Sequence, residues 1–497
     1  MKILKIIGLY VGFSFSLVPV FAQENHELDS IKQQLKEAND AFEKAVQQHR
    51  QIIESLNKKL ESLQPNQPAA PNAAAAPKPA PAPTPDIQAA AAEAAAAAAT
   101  VPSAATAPKW SPSQPMTLFK AGSAYMNVSF GALMDAGWST ASDPSARLQL
   151  GDHDPIQRGF SMRNAEIALD GAVDPYFKGF ANIVFKLDKD QSTELELEEA
   201  YVQSTSLPKN LQIKAGQFFA NFGRQNPQHP HQWAFVDQPL VLTRLFGPDG
   251  LRNLGAQVSW LAPTPFFLEA SLGIFNGQGG TAFSFRDKTE SDPAGERNFS
   301  GHNTFGRSLR GVGDLLYVPR LSSSVDLTDN QTLLAGASAA IGPNVTGNGA
   351  RTEIYGLDAF WKWKSSTAHM GFPFVSVQAE GLYRRYDAYA DPAALPPISA
   401  ETLRDWGFYS QVLWGFREHW VAGLRGEYVW GNTGFYDPLD PFRGDRTRVS
   451  PNLTWYPSEF SKLRLQYNND HGQYIGTEHS VWLQLEFQLG AHAAHKF

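Results

Sequence analysis

In the stretch HWVAGLRGEYVWG, residues 419 to 431, Trp420, Ala422, Leu424, Gly426, Tyr428 and Trp430 share one face of an extended chain. Val421, Gly423, Arg425, Glu427 and Val429 share the other. A period of two over this length fits a strand with two unlike faces, and no helix. Trp420 and Trp430 stand ten residues apart, about 33 Å of strand at 3.3 Å per residue. Tilted by about 45°, that becomes about 23 Å, close to the ~25 Å apolar band between the aromatic girdles of a membrane barrel. Soluble sheets rarely need strands of this length with aromatic residues at both ends of one face. The apolar face is expected to meet lipid.

The same texture recurs through the second part of the chain. Leu254, Ala256, Val258 and Trp260 oppose Gly255, Gln257 and Ser259; Leu463, Leu465 and Tyr467 oppose Arg464, Gln466 and Asn468. The closing segment sets Val481, Leu483, Leu485, Phe487 and Leu489 against Trp482, Gln484, Glu486 and Gln488. Alternation places strands near residues 118–133, 159–172, 177–188, 195–206, 210–217, 251–261, 265–276 and 315–327. It continues near 331–342, 351–364, 372–386, 405–416, 419–430, 446–456, 460–469 and 478–490. Short connections (VDPY, SLPKN, APTP, TDN, REH, YPSE and the somewhat longer SSTAHMG) alternate with longer ones, the arrangement of periplasmic turns and outer loops in an outer-membrane barrel. The expected fold class is all-β: a transmembrane antiparallel β-barrel of about 16 strands over residues 116–497, both ends periplasmic.

What precedes the barrel has a different character. Residues 1–22 read as a signal peptide, with Lys2 and Lys5, a short apolar run and Val20-Phe21-Ala22 at the cleavage site. Residues 23–64 carry apolar or small residues at coiled-coil spacing, among them Leu28, Ile31, Leu35, Ala38 and Phe42, with His49 in the seam. A periplasmic coiled coil is expected there. Residues 65–115 form an Ala/Pro-rich linker with almost nothing large enough for a core. The segment 28–63 offers contact with peptidoglycan or a periplasmic protein. Lys+Arg 42 against Asp+Glu 49 leaves a formal charge of -7 and no basic footprint for nucleic acid. With no cysteine, disulfide scaffolds, zinc–thiolate sites and thiol nucleophiles are excluded.

Signal, coiled coil, spacer and barrel together resemble the phosphate-selective porin O/P-like family of bacterial outer-membrane channels, as does the texture of FFANFGRQ (218–225) and LRLQYNND (463–470). The resemblance covers residues 116–497. It implies a bacterial outer-membrane location, a homotrimer in outer-membrane lipid and passive conduction. In that family an arginine ladder and a lysine cluster guide anions. Here Arg158, Arg163, Arg384, Arg425 and Arg464 are interspersed with Glu166, Asp170, Glu269, Glu380, Glu427 and Glu486, and the ladder does not map residue by residue. Conduction carries over; phosphate specificity does not. The closing strand ends on Phe497, which resembles the assembly signal read by the barrel-assembly machinery.

Residues 218–250 form the third long connection, and more than thirty residues without alternation point to function. Charged rings at a narrow point decide ion preference. Arg224, Arg244 and Arg252 are expected on the positive side of a pore constriction and Asp237 and Asp249 on the negative side, unless these residues anchor the loop through salt bridges. His229 and His231 are candidate metal ligands, as are His492 and His495 at the end of the chain, but a pair supplies two ligands where a site needs three or four. Glu194, Glu196, Glu198 and Glu199 read as a solvated turn rather than a cation site. No nucleophile elbow, zinc-protease helix or phosphate loop is present, so neither an enzyme nor a cofactor is expected. The sequence therefore points to a porin for small hydrophilic solutes or ions, with selectivity set by the third extracellular loop. Its rivals are an anchor tethering the membrane to the cell wall through the coiled coil, and a metal or chelate uptake receptor.

Overall fold

The computed structural model describes residue 36 and residues 115–286, 299–306 and 308–490. The signal peptide, nearly all of the coiled coil and spacer, His492, His495 and Phe497 lie outside the described residues. Seventeen strands follow: β1 Met116–Ala121, β2 Ala124–Ser139, β3 Gly159–Ala172, β4 Phe177–Leu187, β5 Thr193–Ser204 and β6 Leu211–Phe219. Then come β7 Arg252–Leu261, β8 Phe267–Phe275, β9 Leu316–Thr328, β10 Gln331–Pro343, β11 Arg351–His369 and β12 Phe372–Ala388. The last are β13 Glu401–Arg417, β14 Trp420–Gly431, β15 Arg446–Ser458, β16 Ser461–Gly472 and β17 Gly476–Leu489.

Each strand from β2 onward pairs antiparallel with the next, and β17 returns to β2, Leu489 opposite Phe130 and Ser480 opposite Ser139. Of the 17 strands in the sheet, all but β1 form this ring, which leaves a closed barrel of 16. The strand expected at 118–133 is two strands. Gly122, at φ 63°, lets the chain reverse after Ala121, and β1 runs beside the lower part of β2, Met116 opposite Val128. It fills the stretch of wall where β17 stops short. The SSTAHMG connection is shorter than expected, because β11 runs on to His369 and turns on Met370 and Gly371, both at positive φ.

The alternation is that of a soluble sheet turned inside out. On β17, Val481, Leu483, Leu485 and Phe487 are 41%, 42%, 41% and 44% exposed, while Trp482, Gln484, Glu486 and Gln488 are 0%, 4%, 0% and 4% exposed. Leu254, Val258, Leu272, Leu424, Leu453 and Leu465 repeat the outward pattern on other strands. An outer surface of apolar side chains around a charged, close-packed interior requires an apolar medium, and a ring without edges leaves no backbone group unpaired in it. The aromatic ends of β14 fall in two belts. Trp420 stacks on Trp455 near the short turns, with ring centroids 6.1 Å apart. Trp430 meets Trp406 at 5.9 Å and Tyr428 at 4.8 Å near the long connections.

Candidate functional site

The connection between β6 and β7 enters the barrel and crosses it. Its entry is fixed at Gly223, whose φ of 61° suits glycine and where a Cβ would lie 2.3 Å from Glu380 Oε2. Gly223 N–H donates to Ser338 Oγ at 3.1 Å, and the N–H groups of Arg224 and Gln225 donate to Glu380 Oε1 at 3.1 and 2.7 Å. Further on, Lys462 donates to the carbonyl of His231 at 2.8 Å, Arg464 to that of Trp233 at 2.9 Å and Asn452 to that of Ala234 at 2.9 Å. Val236 N–H donates to Gln466 Oε1 at 2.9 Å. These partners lie on β15 and β16, about half the ring away from β6, so the loop spans the lumen.

Its far end is Asp237. The carboxylate is buried and takes Arg425, Arg448 at 3.0 Å, Gln466 at 3.0 Å, Asn468 at 2.7 Å and Gln149 at 3.1 Å. Burial alone would raise the pKa of its carboxyl; the guanidiniums of Arg448 and Arg425 outweigh it and hold it well below the usual range. The chain then forms a short helix, Leu240–Phe246, whose first N–H donates to Glu427 Oε2 at 2.6 Å. Its apolar side packs with Phe222, Phe275, Leu316, Ile354, Leu382, Tyr409 and Val429 in a hydrophobic core inside the barrel. Gly247, at φ 93°, ends the helix. Asp249 and Arg252 pair with each other, and Arg252 also reaches Glu196.

The five charged loop residues thus stand in three places. Asp237, Asp249 and Arg252 are buried in ion pairs with the wall or with each other. Arg244 faces a cavity of 530 Å³ on the long-connection side of the loop, together with Arg147, Arg384, Arg443, Arg446, Asp437, Asp440 and Asp445. Burial lowers the Arg244 guanidinium to about 10, with Arg384, Arg446 and Arg443 adding to it and Asp405 opposing, so it stays charged at neutral pH. Arg224 faces a second cavity, of 360 Å³ on the short-turn side, with Lys362, Lys462, Arg464, Phe360, Phe374 and Trp233. The two cavities share no lining residue.

His229 and His231 lie where the loop leaves the β6 wall. His229 Nδ1 is 2.7 Å from Glu198 Oε2 and its Nε2 is 2.8 Å from Glu199 Oε2, while His231 Nδ1 is 2.7 Å from Glu166 Oε1. Burial works to lower the His229 pKa, but the two glutamates outweigh it and hold it well above the ordinary value. Glu198 and Glu199 are buried, which corrects the expected solvated turn. The cause is a β-bulge: Asn182 pairs with Glu199 and Ile183 with Leu197, leaving Glu198 without a partner in the ladder. Two consecutive glutamates therefore face inward. Alternation could mark Arg446, Arg448, Lys462 and Glu380 as lumen-facing; it carries no signal for a bulge.

No family model matches the chain. A relative from Aquifex aeolicus (strain VF5), an uncharacterized protein, is 33% identical over 364 residues, 69% of this chain and 71% of the relative. Among solved structures, the outer membrane channel DcaP of Acinetobacter baumannii aligns with a TM-score of 0.47 at 13% identity, over 75% of this chain and 99% of that one. The anion-selective porin from Comamonas acidovorans aligns with a TM-score of 0.46 at 7% identity, over 74% of this chain and 100% of that one.

Proposed function

We propose, for a chain that belongs to the same family as the uncharacterized Aquifex aeolicus protein, the function of a bacterial outer-membrane porin. It passes small hydrophilic solutes by diffusion and favours anions. One observation carries the sign. The short-turn cavity is lined by Arg224, Lys362, Lys462 and Arg464, and no carboxylate is among its lining residues. Arg224 and Lys362 form no salt bridge among the described residues; each lies over an aromatic ring, Phe360 at 3.9 Å and Phe374 at 5.3 Å. Uncompensated cations in a confined, low-dielectric mouth raise the local concentration of anions and exclude cations.

The long-connection mouth is mixed, with five arginines beside Asp437, Asp440 and Asp445, so the short-turn mouth is the filter. The third loop sets selectivity by position: Arg224 lines the filter, Arg244 the other mouth, and Asp237, Asp249 and Arg252 keep the loop across the lumen. In this reading the protein is a homotrimer, Phe497 serves barrel assembly, and the coiled coil projects into the periplasm. Liposome swelling tests the proposal. Proteoliposomes should swell faster in a small sugar acid than in the neutral sugar of equal size, and Arg224→Gln/Lys362→Gln should abolish that difference while leaving the neutral rate intact. Equal swelling by both solutes in the wild-type protein rejects the anion preference.

A further inference from the structure

Beside the loop lies a third cavity, of 380 Å³, lined by Glu199, His229 and His231 among others. Against it, Glu166 on β3, Glu198 on β5 and His229 each bring one ligand atom to within 4.8 Å of the others, and all three residues are buried. His231 approaches Glu166, and its ring stacks on that of His229 with centroids 5.6 Å apart. Of the fixed cations of this wall, Arg163, Lys186 and Arg252 pair with Asp152, Glu196 and Asp249, while Lys214 lines the cavity on the Glu199 side. Among the described residues, the ion-pair partners of Glu198 and Glu199 are imidazoles, His153 and His229.

Asn182 on β4 supplies an independent observation. It is fully buried, and its Nδ2 lies 3.3 Å from Glu166 Oε2, 2.6 Å from Glu198 Oε2 and 3.2 Å from His229 Nδ1. Its Oδ1 has no hydrogen-bond partner among the described residues. A buried amide oxygen without a partner costs about 1–3 kcal/mol, and the oxygen and nitrogen of an asparagine exchange places by a half-turn of the amide. That half-turn carries the orphaned oxygen to the point where Glu166, Glu198 and His229 converge. An oxygen there needs a donor or a cation, and either an N–H of His229, 3.2 Å away, or a metal ion between the four groups supplies it.

We propose that Glu166, Glu198, His229 and Asn182 form a binding site for a divalent first-row transition-metal ion of the zinc class, flanked by Glu199 and His231. A mixed imidazole–carboxylate set suits such an ion, whereas calcium and magnesium take oxygen ligands. The side cavity is the entry path. The ion ties the first half of the loop to β3 and β5, as Asp237 ties its far end to β14 and β15. The bulge that turns Glu198 and Glu199 inward together thereby acquires a purpose.

The test uses tag-free, full-length protein carrying His492→Gln/His495→Gln, so that the end of the chain cannot bind metal, refolded with chelator and then given Zn²⁺ alone. One ion per chain is expected, with a higher unfolding midpoint and an X-ray absorption shell of N and O atoms at about 2.0–2.1 Å that includes imidazole. Glu198→Gln, which keeps the side chain's size, should weaken Zn²⁺ binding by more than about 100-fold, beyond the loss from removing a supporting partner. Binding of less than one ion overturns the proposal. So does a metal shell without imidazole, which needs no variant to fold, and so does Zn²⁺ binding that survives both Glu198→Gln and His229→Ala.

Discussion

Asp237 is the residue on which the loop's position depends most. Two guanidiniums and three amides converge on one buried carboxylate, so its removal leaves Arg425 and Arg448 partly unpaired. Breaking a buried pair of this kind costs about 3–5 kcal/mol, enough to loosen the loop from the wall while the barrel stays closed. Asp237→Asn should therefore make the folded barrel cleavable by trypsin at Arg244, where the wild-type protein resists. The pH dependence follows from the direction of the shift. A carboxyl whose folded pKa lies below its unfolded value near 4 contributes its full stabilisation above pH 4 and loses it as pH falls through the folded value. The wild-type loop should stay protected through mild acid and open only below it, and the Asn variant should show no such step. At the other end of the crossing, Gly223→Ala meets both a left-handed backbone and Glu380. It should displace the loop entry and lower the protection of the same site.

At the scale of elements, the helix Leu240–Phe246 decides how much of the lumen is filled. Leu245 and Phe246 are fully buried against strand residues that face the lumen, so Leu245→Ala should destabilise the docked loop by about 2–5 kcal/mol. Hydrogen exchange of the loop amides, with the strand amides unchanged, is the measurement. Replacing residues 240–246 with a short Gly-Ser segment should raise single-channel conductance by at least about twofold, because an apolar obstruction is lost from the pore. How much of this was legible in the sequence follows from the same physics. Strand alternation carried the barrel, its strand number and the loop's location, because lipid on one side and a charged lumen on the other repeat at every second residue. Gly122 and the Met370–Gly371 turn escaped it, since one positive φ reverses a chain without altering the alternation around it. The loop's charges were visible, but their partners were not: Asp237 meets Arg448 across 211 positions, and Glu198 and Glu199 face inward together only through a bulge.

Over the described residues the protein is a closed wall with a loop built across it, and its charge is unevenly shared between the two mouths. The formal charge of -7 describes the chain and says little about the lumen. What a permeating ion meets on the short-turn side is Arg224 and Lys362, while Lys462 and Arg464 are buried in the wall, Lys462 against Glu486. Selectivity should therefore weaken as salt rises and the screening length falls toward about 3 Å at 1 M, whereas a filter made by size alone would be indifferent to salt. Conductance should appear in groups of three if the homotrimer forms. The most direct test is the reversal potential of single channels in a planar bilayer under a potassium chloride gradient at low ionic strength. The account predicts a potential of the sign set by chloride, moving toward zero in Arg224→Gln/Lys362→Gln. A potential of the sign set by potassium, or the same chloride potential in that variant, would contradict it.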